Sequence, residues 1–192
     1  MVPVTRHDEL RAIALAEFAT SGFAATSLQR IADLAGMSKA SVLYHFESKE
    51  RLLAEIVNPA LDDLDALVVS IDEAGALRRG DVVERFVERF VDLLLLHRQV
   101  VPLIINQGAT LEDVPVMHRA TLLMRSISEL FRLASGSTRE KLRFSVAFGG
   151  VAYTLAAAER LGLNGEIPID EVRSALLEIL HDLLVPTDSR LA

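Results

Sequence analysis

Apolar residues recur at every third or fourth position along most of the chain, the spacing that puts side chains on one face of an α-helix. No stretch alternates apolar and polar residues between hairpin turns, so the pattern predicts no strands. We therefore expect an all-α fold of about nine helices. The predicted helices cover approximately residues 5–20, 26–35, 38–46, 48–72, 81–97, 116–134, 138–161 and 169–184, and a short apolar segment broken by proline covers 101–108.

The second and third predicted helices are short and lie close together. Thr26 is expected to cap the second helix, with Gln29 completing a capping box, and Gly36 is expected to end it. Ser38 is a suitable cap for the third helix. Two short helices joined by a tight turn after a longer first helix predict a helix-turn-helix, whose second helix can enter the major groove of DNA.

The third predicted helix has separate anchoring and reading positions. Val42 and Phe46 are four residues apart and are expected to pack inward, while small and polar residues at the start of the helix face outward. The candidates for contacts with bases are Lys39, Ala40, Ser41 and Leu43. The candidates for contacts with phosphates are Thr26, Ser27, Ser38, Tyr44, His45 and Lys49.

Composition and charge do not by themselves indicate nucleic-acid binding. The net charge is −7, but residues 1–57 hold six basic and seven acidic side chains, so most of the acidic excess lies in the remainder. The chain has no cysteine, which excludes a disulfide framework and a thiolate metal site, and we expect no cofactor or metal. No secretory signal or stretch long enough to span a membrane is evident, so a soluble, cytoplasmic protein is expected.

Residues 22–56 resemble the tetracycline-repressor (TetR) family of transcription regulators. The matching pairs and triplets, in chain order, are Gly22-Phe23, Thr26-Ser27, Ile31-Ala32, Ala35-Gly36, Ser38-Lys39, Tyr44-His45-Phe46, Ser48-Lys49-Glu50 and Leu52-Leu53. One departure is Leu43, where the family often has an aromatic residue. The resemblance implies a DNA-binding domain at 1–48 followed by a ligand-sensing and dimerisation domain at 49–192.

The resemblance also implies a homodimer formed by the last two helices, a palindromic operator in double-stranded DNA and a small-molecule effector. The segment 144–158 is rich in small residues, which permit close helix packing, and the last helix has its own apolar stripe. The residues assigned to the dimer interface are Phe144, Phe148, Val151, Leu155, Val172, Leu176, Ile179, Leu180 and Leu183. The residues assigned to a ligand pocket are Phe86, Phe90, His97, Asn106, Gln107, Met117, Met124, Phe131 and Tyr153.

The sequence thus favours a DNA-binding regulator, typically a repressor that a small hydrophobic molecule releases from its operator. One alternative is a helical hydrophobe-binding protein that has lost DNA binding, which the negative net charge favours. A third hypothesis, an enzyme in the larger helical part, lacks support from a phosphate-binding loop, a paired-histidine zinc motif or a nucleophile elbow. We therefore expect that the protein is not an enzyme.

Overall fold

A computed structural model describes residues 5–73, 80–134, 137–158 and 167–184. In these ranges the chain forms nine α-helices and one 3-10 turn, and the all-α prediction is confirmed. The helices are α1 (Arg6–Ser21), α2 (Leu28–Leu34), α3 (Lys39–Phe46), α4 (Lys49–Glu73), α5 (Gly80–Leu96), α6 (Val101–Gln107), α7 (Pro115–Ala134), α8 (Thr138–Ala156) and α9 (Ile169–Leu184), and the 3-10 turn covers Gly108–Leu111.

Side-chain caps fix where the first three helices begin. Thr5 caps α1 in a capping box with Asp8, and the Ser38 hydroxyl accepts a hydrogen bond from the Ser41 amide at the start of α3. The predicted cap of α2 is wrong by one residue, because Ser27 and not Thr26 accepts the Arg30 amide. Gly22 ends α1 with a φ of 86°, a left-handed conformation that glycine adopts without steric cost.

Helix α4 runs without interruption through Pro59. A proline inside a helix has no N–H to give to the carbonyl four residues earlier, which here is that of Glu55. The Arg11 guanidinium of α1 supplies the missing donor, with its Nη2 3.0 Å from the Glu55 oxygen. Pro59 therefore leaves the Glu55 carbonyl of α4 able to accept a hydrogen bond from Arg11 of α1.

The segment 101–108, predicted as an apolar stretch broken by proline, is instead a helix, α6, up to Gln107. Pro102 lies in its first turn, where the backbone N–H has no partner within the helix, so the ring is tolerated. Helix α6 can therefore serve as a rigid connector.

The buried apolar residues form two clusters. The first core contains the inner faces of α1 to α3, the first half of α4, Val100 and Leu103 of the α6 region, Leu111, and the start of α7. The second core joins Leu67 of α4 to α5, α8 and α9, and it includes Val101. Since Val101 and Leu103 of α6 enter different cores, this helix lies at the junction of the two.

None of the helices in the described ranges is long and apolar enough to cross a membrane.

Candidate nucleic-acid interface

Helix α3 presents an exposed face that its own core residues hold in place. Val42 is fully buried and Phe46 is 2% exposed, so both anchor the helix as predicted from their spacing. On the opposite side Lys39, Ala40 and Leu43 are exposed. The face combines a cation, a methyl group and an aliphatic side chain, which can reach base edges and a thymine methyl in a major groove.

Tyr44 projects furthest from the helix, with 86% of its surface exposed. Its ring contacts that of His45, 5.7 Å away between centroids, and His45 in turn lies 6.0 Å from the ring of His7 in α1. The His7 ring is tilted against that of Phe46, 4.4 Å away between centroids, and its Nε2 lies 3.0 Å from a Glu55 carboxylate oxygen. The imidazole of His45 is therefore half-buried beside α1, while the phenol of Tyr44 is accessible.

The two serines of α3 are partly occupied by the cap. The Ser38 oxygen accepts the Ser41 amide at 3.1 Å, and the two hydroxyl oxygens are 2.9 Å apart. Both hydroxyls can still accept from or donate to a further partner, because a hydroxyl has one donor and two acceptor sites. Their assignments to base and phosphate contacts stay predictions.

Thr26 is not available as a phosphate contact, and the prediction for this side chain is corrected. It is 2% exposed and its hydroxyl lies 2.9 Å from the Gly22 carbonyl and 3.3 Å from that of Glu17. The neighbouring Ser27 is exposed at the start of α2, where its oxygen caps the helix. Thr26 therefore stabilises the turn after α1, and Ser27 remains the phosphate candidate of the pair.

Lys49 has a structural role that its sequence position does not reveal. Its ammonium donates to the carbonyls of Phe23 at 2.8 Å and Thr26 at 2.9 Å, and it lies 4.2 Å from the centroid of the Phe23 ring. Two of the three ammonium protons are thus used inside the protein, leaving one for a phosphate. The residue fastens the start of α4 to the turn between α1 and α2.

The residues predicted to line a ligand pocket are divided between the two cores and the surface. Phe86 and Phe90 are buried in the second core, where their rings lie 5.2 and 5.1 Å from that of Phe148. Met117 is buried in the first core. Asn106, Met124 and Tyr153 are exposed, and the side chain of Phe131 lies outside the described residues.

The remaining two pocket candidates have partners within the protein. His97 faces Asp63 of α4, with Nε2 2.7 Å from a carboxylate oxygen. The Gln107 amide bonds the backbone of the α1–α2 region, its Oε1 accepting the Phe23 amide at 2.8 Å and its Nε2 donating to the Phe18 carbonyl at 2.6 Å. An open groove of about 470 Å³ between α4 and α7 is lined by six other residues, Val68, Val69, Arg125, Ser126, Glu129 and Leu130.

The predicted dimer residues mostly face inward, and that assignment is corrected. Buried in the protomer's own second core are Phe148, Val151, Leu155, Leu176 and Leu180. Phe144 and Val172 are partly buried against the same core, whereas Ile179 is 52% exposed and Leu183 is 36% exposed. Only the last two present large apolar surface to solvent.

A second apolar stripe on α8, which sequence reasoning missed, faces outward. It consists of Leu142, Val146, Gly149, Gly150 and Tyr153, hereafter the α8 outer face, and all five are exposed. A signal was present in the sequence, because these positions also follow helical spacing. An apolar helix with two such stripes does not reveal which one faces its own core.

Residues 10–56 match the family described as "Bacterial regulatory proteins, tetR family". The HTH-type transcriptional repressor KstR2 of Mycolicibacterium smegmatis is 32% identical over 113 residues, which cover 59% of this chain and 55% of that protein. The matched segment thus spans about half the length of that relative.

Two solved structures share the fold across nearly the whole chain. The ketosteroid transcriptional regulator KstR2 of Mycobacterium tuberculosis superposes with a TM-score of 0.70 at 21% identity, covering 92% of this chain and 93% of that one. The probable transcriptional regulatory protein RHA5900 superposes with a TM-score of 0.67 at 26% identity, covering 94% and 99%. Residues 10–56 of the chain therefore form a domain of the type described as "Bacterial regulatory proteins, tetR family", and the whole chain shares its fold with the two regulators.

Proposed function

We propose that this protein is a transcription regulator that binds an operator in double-stranded DNA as a homodimer, with α3 as the reading helix. The observation that carries the proposal is the division of α3 into a buried anchor, Val42 and Phe46, and an exposed face of Lys39, Ala40, Leu43 and Tyr44. Residues 1–48 supply the surface that faces DNA, and residues 49–192 supply dimerisation and effector sensing. The relatives named as repressors support repression as the output.

The α8 outer face supports the homodimer. Leu142 and Val146 are each 61% exposed and Tyr153 is 57% exposed, a continuous apolar stripe of the kind that marks protein contacts. Gly149 and Gly150 lie in the middle of this stripe, and a Cβ added to either would meet no atom of the described residues within 4 Å beyond its own helix backbone. A glycine inside a helix costs about 1 kcal/mol relative to alanine, and no packing within the described part of the protomer requires either one. The close approach of a second copy would account for both.

In such a dimer Ile179 and Leu183 of α9 continue the α8 outer face. Twofold symmetry brings α8 and α9 of each protomer together, so that the interface pairs the same surface with itself. The two α3 helices then enter successive major grooves about 34 Å apart on one side of a palindromic site.

We further propose that a small hydrophobic effector weakens operator binding. The structural neighbour from Mycobacterium tuberculosis, named a ketosteroid transcriptional regulator, supports a hydrophobic effector. Coupling of roughly 2 to 3 kcal/mol would lower operator affinity about 30- to 150-fold. Helix α4 connects the first core to the second and is the expected lever between effector and DNA.

The test is duplex binding by the full chain. Duplexes tiled across the DNA that flanks its own gene are titrated by fluorescence anisotropy, and one palindromic duplex is expected to bind at least 1,000-fold more tightly than random sequence. Ala40→Glu places a negative charge on the exposed face of α3 and should abolish this binding, whereas Ala66→Glu adds the same charge to an exposed site on α4 and should not. Equal, weak binding of every duplex would reject the function and favour a protein that binds hydrophobic molecules without reading DNA.

A further inference from the structure

The segment that follows α1 is held from two sides by residues distant in sequence. The Phe23 amide donates to Gln107 of α6, while the Phe23 carbonyl accepts from Lys49 of α4. The same Gln107 side chain donates to the Phe18 carbonyl in the last turn of α1. The backbone of a single residue, Phe23, is thus bonded at its N–H by α6 and at its carbonyl by α4.

Gln107 is well suited to fix a position and not merely to fill space. Its carbonyl and amide ends are both used, at 2.8 and 2.6 Å, and both partners are backbone groups that cannot rotate away. The backbone carbonyl of Gln107 accepts a hydrogen bond from the Thr110 hydroxyl at 2.9 Å, which connects the end of α6 to the 3-10 turn. A primary amide can accept from one N–H and donate to one C=O at the same time, through two different atoms.

The bonded segment leads directly into the reading unit. Phe23 is buried, with its ring 5.2 Å from that of Phe18, and only the turn ending at Ser27 separates it from α2. Helix α2 packs on α3 in the first core. A displacement of α6 relative to α4 would therefore move the backbone of Phe23, and α2 and α3 would move with it.

We propose that Gln107 is a positioning residue that sets the orientation of α1 to α3 relative to the rest of the protomer, and so the spacing at which two α3 helices meet DNA. This inference rests on the proposed function only in its second part. The two hydrogen bonds fix the orientation within one protomer, whether or not the protein binds DNA. Removal of two neutral hydrogen bonds changes an equilibrium constant by a factor of roughly 5 to 150. The loss of operator affinity on removing both should not exceed this factor.

The first test measures orientation within the protomer. Because the chain has no cysteine, Ala40→Cys and Glu84→Cys introduce the only two sites for spin labels, one on α3 and one on α5. Dilution into an excess of unlabelled protein restricts the measured distances to pairs within one protomer. Gln107→Met, which keeps the length of the side chain and loses both bonds, should broaden or shift the distance distribution.

Two matched controls separate positioning from stability. Asn106→Met changes the exposed neighbouring amide, and Ile31→Val weakens the first core without touching the Gln107 bonds; both should retain the wild-type distribution. A Gln107→Met distribution identical to that of the wild type would overturn the proposal. So would an equal broadening in Ile31→Val, since the effect would then follow stability alone.

The second test measures spacing selectivity on DNA. Affinity is compared between the operator and the same operator with one base pair inserted at its centre, and Gln107→Met should reduce the wild-type ratio several-fold while both controls keep it. An unchanged ratio together with a broadened distance distribution would reject the role in DNA reading. If the wild type binds no duplex specifically, the proposed function fails, and the spin-label distances still decide whether Gln107 orients α1 to α3.

Discussion

Each of the three lysines in this chain has a different environment, although their charges are the same. Lys39 is exposed at the start of α3, Lys49 is bonded to two carbonyls behind α2, and Lys141 is exposed on α8. An ammonium group that faces a base edge contributes to sequence discrimination, whereas one that bonds the backbone contributes to folding. The three residues therefore form a natural series of variants.

We predict three different outcomes for their removal. Lys39→Ala should leave stability unchanged and lower the ratio of operator to random-DNA affinity by about 10-fold, the effect of losing one base contact of 1 to 3 kcal/mol. Lys49→Met should lower the free energy of unfolding by about 2 kcal/mol, because hydrogen bonds from a charged donor to two part-buried carbonyls are lost.

Lys141→Ala serves as the control, with neither effect. Chemical denaturation and anisotropy titration measure the two quantities on the same preparations. Retention of the wild-type specificity ratio in Lys39→Ala would remove this residue from the base-reading set.

At this scale the sequence predicted residue types better than their partners. Val42 and Phe46 were expected to be buried from their spacing, and they are. The hydrogen-bond partners of Thr26 and Gln107 could not be predicted, because they depend on how distant helices pack and not on local pattern. A polar side chain beside a turn has the same local signature whether it faces a phosphate or a backbone carbonyl.

Helices α1 and α4 are joined by a hydrogen bond whose acceptor, a backbone carbonyl, is left unpaired within α4 by a proline. Pro59 leaves the Glu55 carbonyl without its helical donor, and the Arg11 Nη2 occupies it at 3.0 Å. The Nε of the same guanidinium is buried with no hydrogen-bond partner among the described residues, which carries some cost in desolvation, while its Nη1 lies 3.9 Å from an Asp8 carboxylate oxygen. The pair defines where α4 crosses α1.

This arrangement predicts a coupling between the two residues. Arg11→Met should lower the free energy of unfolding by about 1 to 3 kcal/mol, because the part-buried Glu55 carbonyl loses the donor that Arg11 supplies. In a Pro59→Ala background the alanine N–H can restore the helical bond, so the same Arg11→Met change should cost clearly less. A double-mutant cycle by chemical denaturation measures the difference. Equal losses in the two backgrounds would show that Arg11 stabilises the protein by another route.

Helices α5 and α9 are bridged by a bidentate ion pair. The Arg173 Nε and Nη2 lie 2.5 and 3.1 Å from the two carboxylate oxygens of Asp92. The hydrogen bond from Arg173 holds the pKa of Asp92 below its ordinary value. A carboxyl group with a lowered pKa stabilises the folded state above its ordinary pKa, and this contribution is lost as the pH falls through the lowered value.

We therefore expect Asp92→Asn to lower stability at pH 7 by about 0.5 kcal/mol, a small figure because the pair is half exposed to solvent. The difference from the wild type should shrink below pH about 4 and disappear once Asp92 is protonated. Thermal unfolding across this pH range measures it, with Glu84→Gln on the exposed side of α5 as the charge-matched control. A difference that persists unchanged in acid would assign the effect to packing.

Element boundaries were largely predictable, because caps and glycines mark them. The predicted start of α3 after Ser38 and the span 169–184 of α9 agree with the structure, while α8 ends at Ala156, earlier than the predicted 161. Helix α6 was misjudged since a proline in a first turn and a proline that breaks a helix look alike in the sequence.

At the scale of the whole molecule, the sequence does not decide which side of α8 would face a partner. Both stripes of this helix are apolar, and the packing of α5, α6 and α9 decides that Phe148, Val151 and Leu155 are internal. The α8 outer face is the surface that we propose for a second copy. Self-association should therefore depend on residues whose loss does not harm the protomer.

Gly149→Ala and Val146→Asp test this expectation in different ways. Alanine should favour the helix by up to about 1 kcal/mol in the protomer, yet its Cβ should hinder close approach of a partner and weaken the dimer. Val146→Asp should give monomers at micromolar concentration, while Ser128→Asp on the exposed side of α7 should not. Sedimentation equilibrium measures the association. Wild-type association in both α8 variants would place the interface elsewhere.

The first core has a consequence for engineering. This core extends beyond α3. The space beneath the three N-terminal helices is filled by Leu52, Leu53, Ile56 and Val57 of α4, together with Leu103 and Met117. A fragment cut after residue 48 would leave Leu10, Phe18 and Val42 without much of their apolar cover, so it should not fold alone. A graft that transfers this reading specificity to another regulator must carry half of α4, with α6 and the beginning of α7, as its foundation.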